Sequence, residues 1–379
     1  MQMTGYFDNA ATTVPSPAAL HTYEEVALAY PANPSSSHRE GKRTARLLQD
    51  LREQTAALLK TNAEHITFTG GATEANAIVL SNLLWRRRAE QVVFSGIEHS
   101  SILEWSRLLT HTGWTVTAVD APGGLVEPAA ISAALHEKTR LVSVLLVNNT
   151  LGTIQDVRAI AQAVRLYERE HNTQAIHLHC DATQALGKIA FNLTELGVDS
   201  ASFSAHKFHG PRGVGILYNT RANLEPLSRA GGQEQGLRGG TENVPAIAAM
   251  VCALTEAMEG LDQRLAHVRS LNTMLRTRLK GVEILTPQEH SSAYILTISI
   301  PPLPSEVAER MLSDLGFCVS AGSACSHNAR QKGAATHNAM RLDKRLAESS
   351  IRISLSHHTT LHECEALADA ILAIHRKHR

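Results

Sequence analysis

The chain of 379 residues predicts an α/β architecture: a large domain on a mostly parallel sheet, followed by a smaller α+β domain. Three observations carry that expectation. Apolar, β-branched runs of strand length alternate with stretches of helical period, the rhythm of βαβ units. The alternation gives way near residue 260 to a mixed pattern. The length also exceeds what one small core accommodates, so about two domains are expected.

In chain order, the strands of the large domain are "HITFTG" (65–70), "QVVFSG" (91–96), "WTVTAVD" (114–120), "TRLVSVLLVNN" (139–149), "AIHLHCD" (175–181) and "GVGILYN" (213–219). Most are apolar throughout, as strands buried on both faces are. Helical stretches lie between them at 73–90, 100–113 and 156–171. From about Glu242 one long helical segment runs into "RLAHVRSLNTMLRTRLKGV". Beyond it "AYILTISI", "FCVSAGS" and "SSIRISLS" read as strands of the small domain. The expected division is 16–260 for the large domain and 1–15 with 261–379 for the small one.

Composition narrows the function. Lys+Arg and Asp+Glu balance at 36 each, so no global field draws the chain to nucleic acid or an anionic membrane. No apolar run approaches the roughly 18 residues of a membrane span, and the start "MQMTGYFDNAATT" lacks a charged n-region followed by an apolar h-region, so no leader is expected in it. A cytoplasmic location is expected, with no membrane partner and no direct nucleic acid. The five cysteines, Cys180, Cys252, Cys318, Cys325 and Cys364, are odd in number and form no CxxC pair, which argues against a disulfide framework or a zinc knuckle.

In such folds ligands sit beyond the carboxyl ends of strands. There "FTGGATEAN" ends a strand in Gly70 and Gly71 and starts a helix near Thr73, offering free N–H groups, a hydroxyl and a positive helix end to a phosphate. An ordinary capped glycine turn is the alternative. "HLHCDATQALG" ends another strand in Asp181, and "SFSAHKFHGPRGVG" places Lys207 after the next. A lysine, a carboxylate and a phosphate seat on separate strand ends are what pyridoxal 5′-phosphate demands. The lysine forms an imine with its aldehyde, the carboxylate keeps its ring nitrogen protonated, and anion donors hold its phosphate. Ser204 and His206 stand where they could join that seat. A lysine carried as an imine has no free ammonium to desolvate, which reconciles Lys207 with its apolar setting; a snorkelling surface lysine is the alternative. His99, where a strand hands over to a helix, could cover the cofactor face and shuttle protons near neutral pH. Arg352 stands mid-strand between isoleucines in "SIRIS" and needs an anion, either a substrate α-carboxylate or an internal Asp or Glu.

Nearly the whole chain resembles the cysteine desulfurases, class V aminotransferase-like pyridoxal phosphate enzymes. The motifs are "YFDNAATT" (6–13), "NPSSSH" (33–38), "GGATEAN" (70–76), "EHSS" (98–101), "VNNTLGTIQ" (147–155), "HCDATQALGK" (179–188), "SFSAHKFHGPRGVG" (202–215), "GGTENVP" (239–245), "GSACS" (322–326) and "SSIRISL" (349–355). Within the family the chain resembles the long-loop housekeeping subgroup. The resemblance implies the PLP-transferase fold type I, with a seven-stranded sheet in the large domain. It also implies that Lys207 bears the cofactor, His99 stacks on its ring and Asp181 pairs with the ring nitrogen. Gln184 and Asn149 would contact the ring oxygen or the substrate. Ala72, Thr73, Ser204 and His206 would hold the phosphate, with Thr241 reaching in from the other subunit of a homodimer, and Arg352 with Asn149 would hold the substrate carboxylate.

The implied activity converts L-cysteine to L-alanine and leaves the sulfur on Cys325 as a persulfide. An acceptor protein of iron–sulfur cluster assembly or tRNA thiolation would then take it. Cys325 fits that role from its own context, since "SAGSACSHNARQKG" is small, polar and glycine-bearing, whereas Cys318 reads as strand core and Cys252 and Cys364 lie in helical patterns. A selenocysteine lyase, or another β-lyase or aminotransferase, on the same scaffold is the alternative. The chain departs from the family pattern at Thr150 and Gly239, and in the histidine-rich stretch after Cys325. A metal protein using His177, His179, Cys180 and Asp181 is disfavoured, because alternation puts Cys180 on the opposite strand face from the other three. No metal is expected.

Overall fold

The computed structural model describes residues 5–221, 224–228, 230–322 and 336–378. Its strands are β1 (Gly5–Tyr6), β2 (Ile66–Thr69), β3 (Gln91–Ser95), β4 (Thr115–Val119), β5 (Thr139–Ser143), β6 (His177–Asp181), β7 (Ser200–Ser204), β8 (Gly215–Asn219), β9 (Glu283–Ile284), β10 (Ile295–Ser299), β11 (Phe317–Cys318), β12 (Ser320–Ala321) and β13 (Ser350–Ser354). Seven of them form one sheet in the order β2-β8-β7-β6-β5-β3-β4. All its pairings are parallel except those of β8, which runs against both neighbours.

Residues on the two sides of β3 explain the absence of period-two alternation. Val93 packs into a core with Val142, Ile160 and Val164, while Val92 and Phe94 pack into another with Ile78, Val79 and Ile102. Helices Val157–His171 and Val244–Glu259 cover the first face, and helices Ala72–Ser81 and Trp105–His111 the second. The helix Val157–His171 is sharply bounded. Asp156 caps its start by accepting from Ala159 N–H at 2.9 Å, and Asn172 ends it in the left-handed region at φ 47°.

A separate core gathers Phe7, Leu271, Leu296, Ile353 and Leu367 under a four-stranded antiparallel sheet ordered β12-β13-β10-β9. We propose that the boundary between the two units falls at Gly260, where helices Val244–Glu259 and Leu261–Arg278 meet at 72°. The first strand pair belongs with the smaller unit, because β1 pairs with β11 and Asp8 bridges to Ser354.

Several expectations change. The stretches 73–90 and 100–113 are α-helix only over Ala72–Ser81 and over Ser100–Leu103 with Trp105–His111, and "FCVSAGS" is the two strands β11 and β12. The run 139–149 is regular strand only to Ser143, although Val144 and Leu146 N–H still donate to the His179 and Asp181 carbonyls of β6, at 3.1 and 2.9 Å. The segment expected as one long helix from Glu242 is two. No single helix among the described residues is long and apolar enough to cross a membrane.

Candidate active site

A cavity of about 540 Å³ opens at the carboxyl edge of the seven-stranded sheet. Register explains why these strands converge. Thr69 and Ser204, the last residues of β2 and β7, both pair with Gly215 at the start of β8, and Asp181 ends β6 beside Ser202. A Cβ on Gly215 would lie 2.4 Å from Phe203 O and 2.6 Å from Gly71 Cα, so only glycine lets these backbones approach. Gly71 itself, at φ 142°, starts helix Ala72–Ser81 with no side-chain cap. The free N–H groups and positive dipole end of that helix reach the cavity wall at Ala72 and Thr73, beside Ser204 and His206.

Ten of the predicted residues line this one cavity: Ala72, Thr73, His99, Asn149, Asp181, Gln184, Ser204, His206, Lys207 and Arg352. Thr241 does not: it is exposed and meets Asn33 Nδ2 at 3.3 Å within its own chain. Cys325 lies outside the described residues.

Lys207 follows β7 on a short 3-10 turn and donates through Nζ to the carbonyls of Ala10 at 2.9 Å and Ala11 at 2.6 Å. Burial and the Arg352 charge lower its pKa to about 8, against the pull of Asp181 and Asp8. A lysine so placed is a usable base near neutral pH. His99 caps helix Ser100–Leu103, its Nδ1 accepting from Ser101 N–H at 3.2 Å. The neutral ring then carries its proton on Nε2, and burial lowers its pKa in favour of that form.

Asp181 is oriented by a hydrogen-bonded chain from inside the sheet. Asn76 Nδ2 donates to Asp181 Oδ2 at 3.1 Å, so Asn76 Oδ1 accepts from His179 Nε2 at 2.9 Å. His179 Nδ1 and His177 Nε2 both meet Ser200 Oγ, at 2.8 and 2.7 Å. Burial lowers the pKa of His179 to about 4 and of His177 to about 3, so both rings sit neutral in this chain. These bonds use the histidines that the metal alternative would need, leaving them as the support of Asp181. Burial, and then the Asp181 charge, raise the pKa of Glu98, buried nearby, well above the usual carboxylate range.

Arg352 has both kinds of partner that its sequence setting allowed. Its Nη2 pairs with Asp8 Oδ1 at 2.9 Å and donates to Ser320 Oγ at 2.8 Å, and its Nη1 donates to Asn149 O at 3.0 Å. The side chain still lines the cavity, and its buried Nε has no partner among the described residues. The internal carboxylate therefore orients the guanidinium without exhausting its donors.

The residues missed from sequence are Asp8, Thr12, Arg212 and Lys188. Asp8 and Thr12 lie in "YFDNAATT", a stretch that carried no reading of its own until β1 brought it to the cavity edge. Lys188 is 5 % exposed and donates to Gln184 Oε1 at 2.9 Å, while Gln184 Nε2 donates to Ala10 O, the carbonyl that also holds Lys207. Burial, then the charges of Lys207 and Arg352, lower its pKa to about 7. Nothing in "ALGK" distinguishes it from a surface lysine.

The donor set fits pyridoxal 5′-phosphate: an uncapped helix start with a hydroxyl and an imidazole for a phosphate, a fixed carboxylate, and a lysine of lowered pKa.

Comparison with known proteins agrees. Residues 5–367 match the aminotransferase class-V family. The chain is 38 % identical over 381 residues to a "NifS/IcsS protein homolog" of Lactobacillus delbrueckii subsp. bulgaricus, covering 98 % of this chain and 97 % of that one. It is 34 % identical over 349 residues to "Cysteine desulfurase IscS" of Vibrio cholerae, covering 89 % and 84 %. Among solved structures, a "NIFS-LIKE PROTEIN" superposes with a TM-score of 0.90 at 34 % identity, with 99 % of each chain covered.

Proposed function

The chain belongs to the class-V aminotransferase family and within it to the cysteine desulfurases, and we propose that Lys207, His99, Arg352 and Cys325 carry its reaction. The enzyme depends on pyridoxal 5′-phosphate, whose conjugated ring, when bound, draws electrons from the substrate carbon and acidifies its proton. Ala72, Thr73, Ser204 and His206 would hold the phosphate, Asp181 the ring nitrogen, and Gln184 and Asn149 the ring oxygen or substrate. The observation that carries this reading is the convergence of the lysine, the carboxylate, the uncapped helix start and an arginine with a free donor in one cavity.

Arg352 anchors the α-carboxylate of L-cysteine. Lys207 Nζ takes the proton from the α-carbon, and His99 holds one on Nε2 for return to the substrate side. The Cys325 thiolate attacks the substrate sulfur; a new S–S bond forms as the Cβ–S bond breaks, and its electron pair stays with the carbon fragment, which is protonated. The balance is L-cysteine plus enzyme thiol giving L-alanine plus enzyme persulfide. The persulfide passes to an acceptor protein of iron–sulfur cluster assembly or of a thiolation pathway.

The reading includes a two-fold homodimer in which Thr241 completes the partner's phosphate seat. Its support is the exposure of Thr241, together with apolar side chains left in solvent on and before helix Pro17–Ala29, Val14 at 62 % and Leu28 at 76 %. A cytoplasmic location is part of the same reading, supported by four unpaired cysteines among the described residues.

The test is intact-protein mass and alanine release on wild type and Cys325→Ser. The serine variant is expected to keep its bound cofactor, release almost no alanine and gain no sulfur. Wild-type alanine release from it, or a persulfide on another cysteine, would replace the desulfurase reading with that of a general β-lyase or aminotransferase.

A further inference from the structure

Behind the lysine turn, away from the cofactor cavity, three histidines meet. His209 follows Lys207 by two residues and lies in the larger unit; His357 and His358 follow β13 in the smaller one. One ring nitrogen from each lies within 4.8 Å of the others. The ring centroids of His209 are 4.7 Å from His357 and 5.2 Å from His358, and those of His357 and His358 are 3.9 Å apart.

His209 is held as a ligand would be. Its Nδ1 lies 2.8 Å from the Val14 carbonyl, which can only accept, so the proton is on Nδ1 and the lone pair on Nε2. A backbone carbonyl fixing one nitrogen so that the other faces an ion is the usual outer support of a metal-bound histidine. The backbone is fixed too: His209 N–H donates to Thr13 Oγ1 at 2.9 Å and its carbonyl accepts from Ser16 N–H at 2.9 Å. Its φ of 66° is one a non-glycine residue seldom adopts without tertiary compulsion. His209 Nε2 is now shared only with the Ser356 hydroxyl at 3.2 Å.

Charge and access decide what could enter. With its proton fixed on Nδ1 by the Val14 carbonyl, His209 offers Nε2 as a lone pair that no proton must leave before a metal binds. Arg264 and Lys188 oppose a cation, and the Glu256 carboxylate favours one beside His358. His358 is exposed, which gives the ion a path from solvent.

We propose that His209, His357 and His358 form a binding site for one first-row divalent transition metal, which clamps the two units together directly behind the Lys207 turn. Three neutral imidazoles suit Zn²⁺, with water in the fourth tetrahedral position. Tetrahedral Zn–N bonds of about 2.0–2.1 Å put ligand nitrogens roughly 3.4 Å apart, within the 4.8 Å that bounds their separations here. The sequence offered no hint of this, since His209 lies far along the chain from the other two and no ligand spacing repeats.

The test titrates Zn²⁺ into the cofactor-loaded enzyme against a chelating indicator, and repeats it with Co²⁺ to read the visible d–d bands of a low-coordinate nitrogen site. Wild type is expected to bind one ion per chain and to melt at higher temperature with it. His358→Ala, at an exposed position, should weaken binding about tenfold or more, and His357→Ala with His358→Ala should abolish it, while the cofactor absorbance stays. Absence of a stoichiometric site, undiminished binding by His358→Ala, or a Co²⁺ spectrum like that of the aquo ion would overturn the proposal.

Discussion

In the seven-stranded sheet every cavity residue stands at or beyond a strand end: Asp181 closes β6, Ser204 closes β7, and Lys207 and the helix start at Ala72 lie on turns. Arg352 comes to the same cavity from the middle of β13, locked in register against Thr297 of β10 and Ser320 of β12. The difference lies in what fixes each group. A parallel sheet buried on both faces has no free face to offer, so chemistry sits where strands stop. A small antiparallel sheet can leave one side chain of its middle strand facing a neighbouring unit, and Asp8 and Ser320 then aim it.

Variants can break or sharpen this contrast. The largest effect is expected at the strand-end lysine. Lys207→Ala should lower alanine formation by about three orders of magnitude or more, since base and covalent anchor are lost together. Borohydride should fix cofactor to the Lys207 peptide in wild type and to none in the variant. Label on another lysine would move the centre of the site.

For the mid-strand group, Arg352→Lys keeps the charge and loses the fork. A drop in kcat/KM for cysteine of roughly ten- to a hundredfold is expected, about 1.5–3 kcal/mol of transition-state stabilisation. If the constant does not change, Arg352 serves only its Asp8 pair.

Gly215→Ala tests whether the strand ends must touch. With Phe203 O and Gly71 Cα in the way, unfolding measurements should find a loss of about 1–3 kcal/mol, and the phosphate seat should bind cofactor more weakly. A neutral substitution would mean the register tolerates a wider gap.

The last test concerns Lys188, whose effect is read as a pH slope. Its pKa is lowered to about 7 by burial first and by Lys207 and Arg352 next, against an ordinary value of 10.5. Between those values the unfolded chain holds one proton more than the folded one, so stability rises with pH through that window and the cost is complete below about 7. Lys188→Met should remove a slope of up to about 1.4 kcal/mol per pH unit between pH 7 and 9. Parallel wild-type and variant curves in urea titrations would show the amine to be charged throughout.

Much of this protein was legible in order along the chain. The βαβ rhythm set out the sheet because parallel strands must be joined by crossovers, and "FTGGATEAN", "HLHCD" and "SFSAHK" marked their own strand ends through glycine, acid and lysine where apolar runs stop. Nine of the ten predicted residues meet in one cavity because each is fixed by its position relative to a strand end, a local property; Arg352 alone joins them from mid-strand.

Tertiary structure decided what local pattern cannot carry. Asp8 beside Arg352, Lys188 behind Gln184 and the meeting of His209 with His357 and His358 join segments distant in sequence, and no spacing rule links them. The reversal of β8 was hidden for a related reason: an apolar run records that a segment is buried, not which neighbour it pairs with or in which direction.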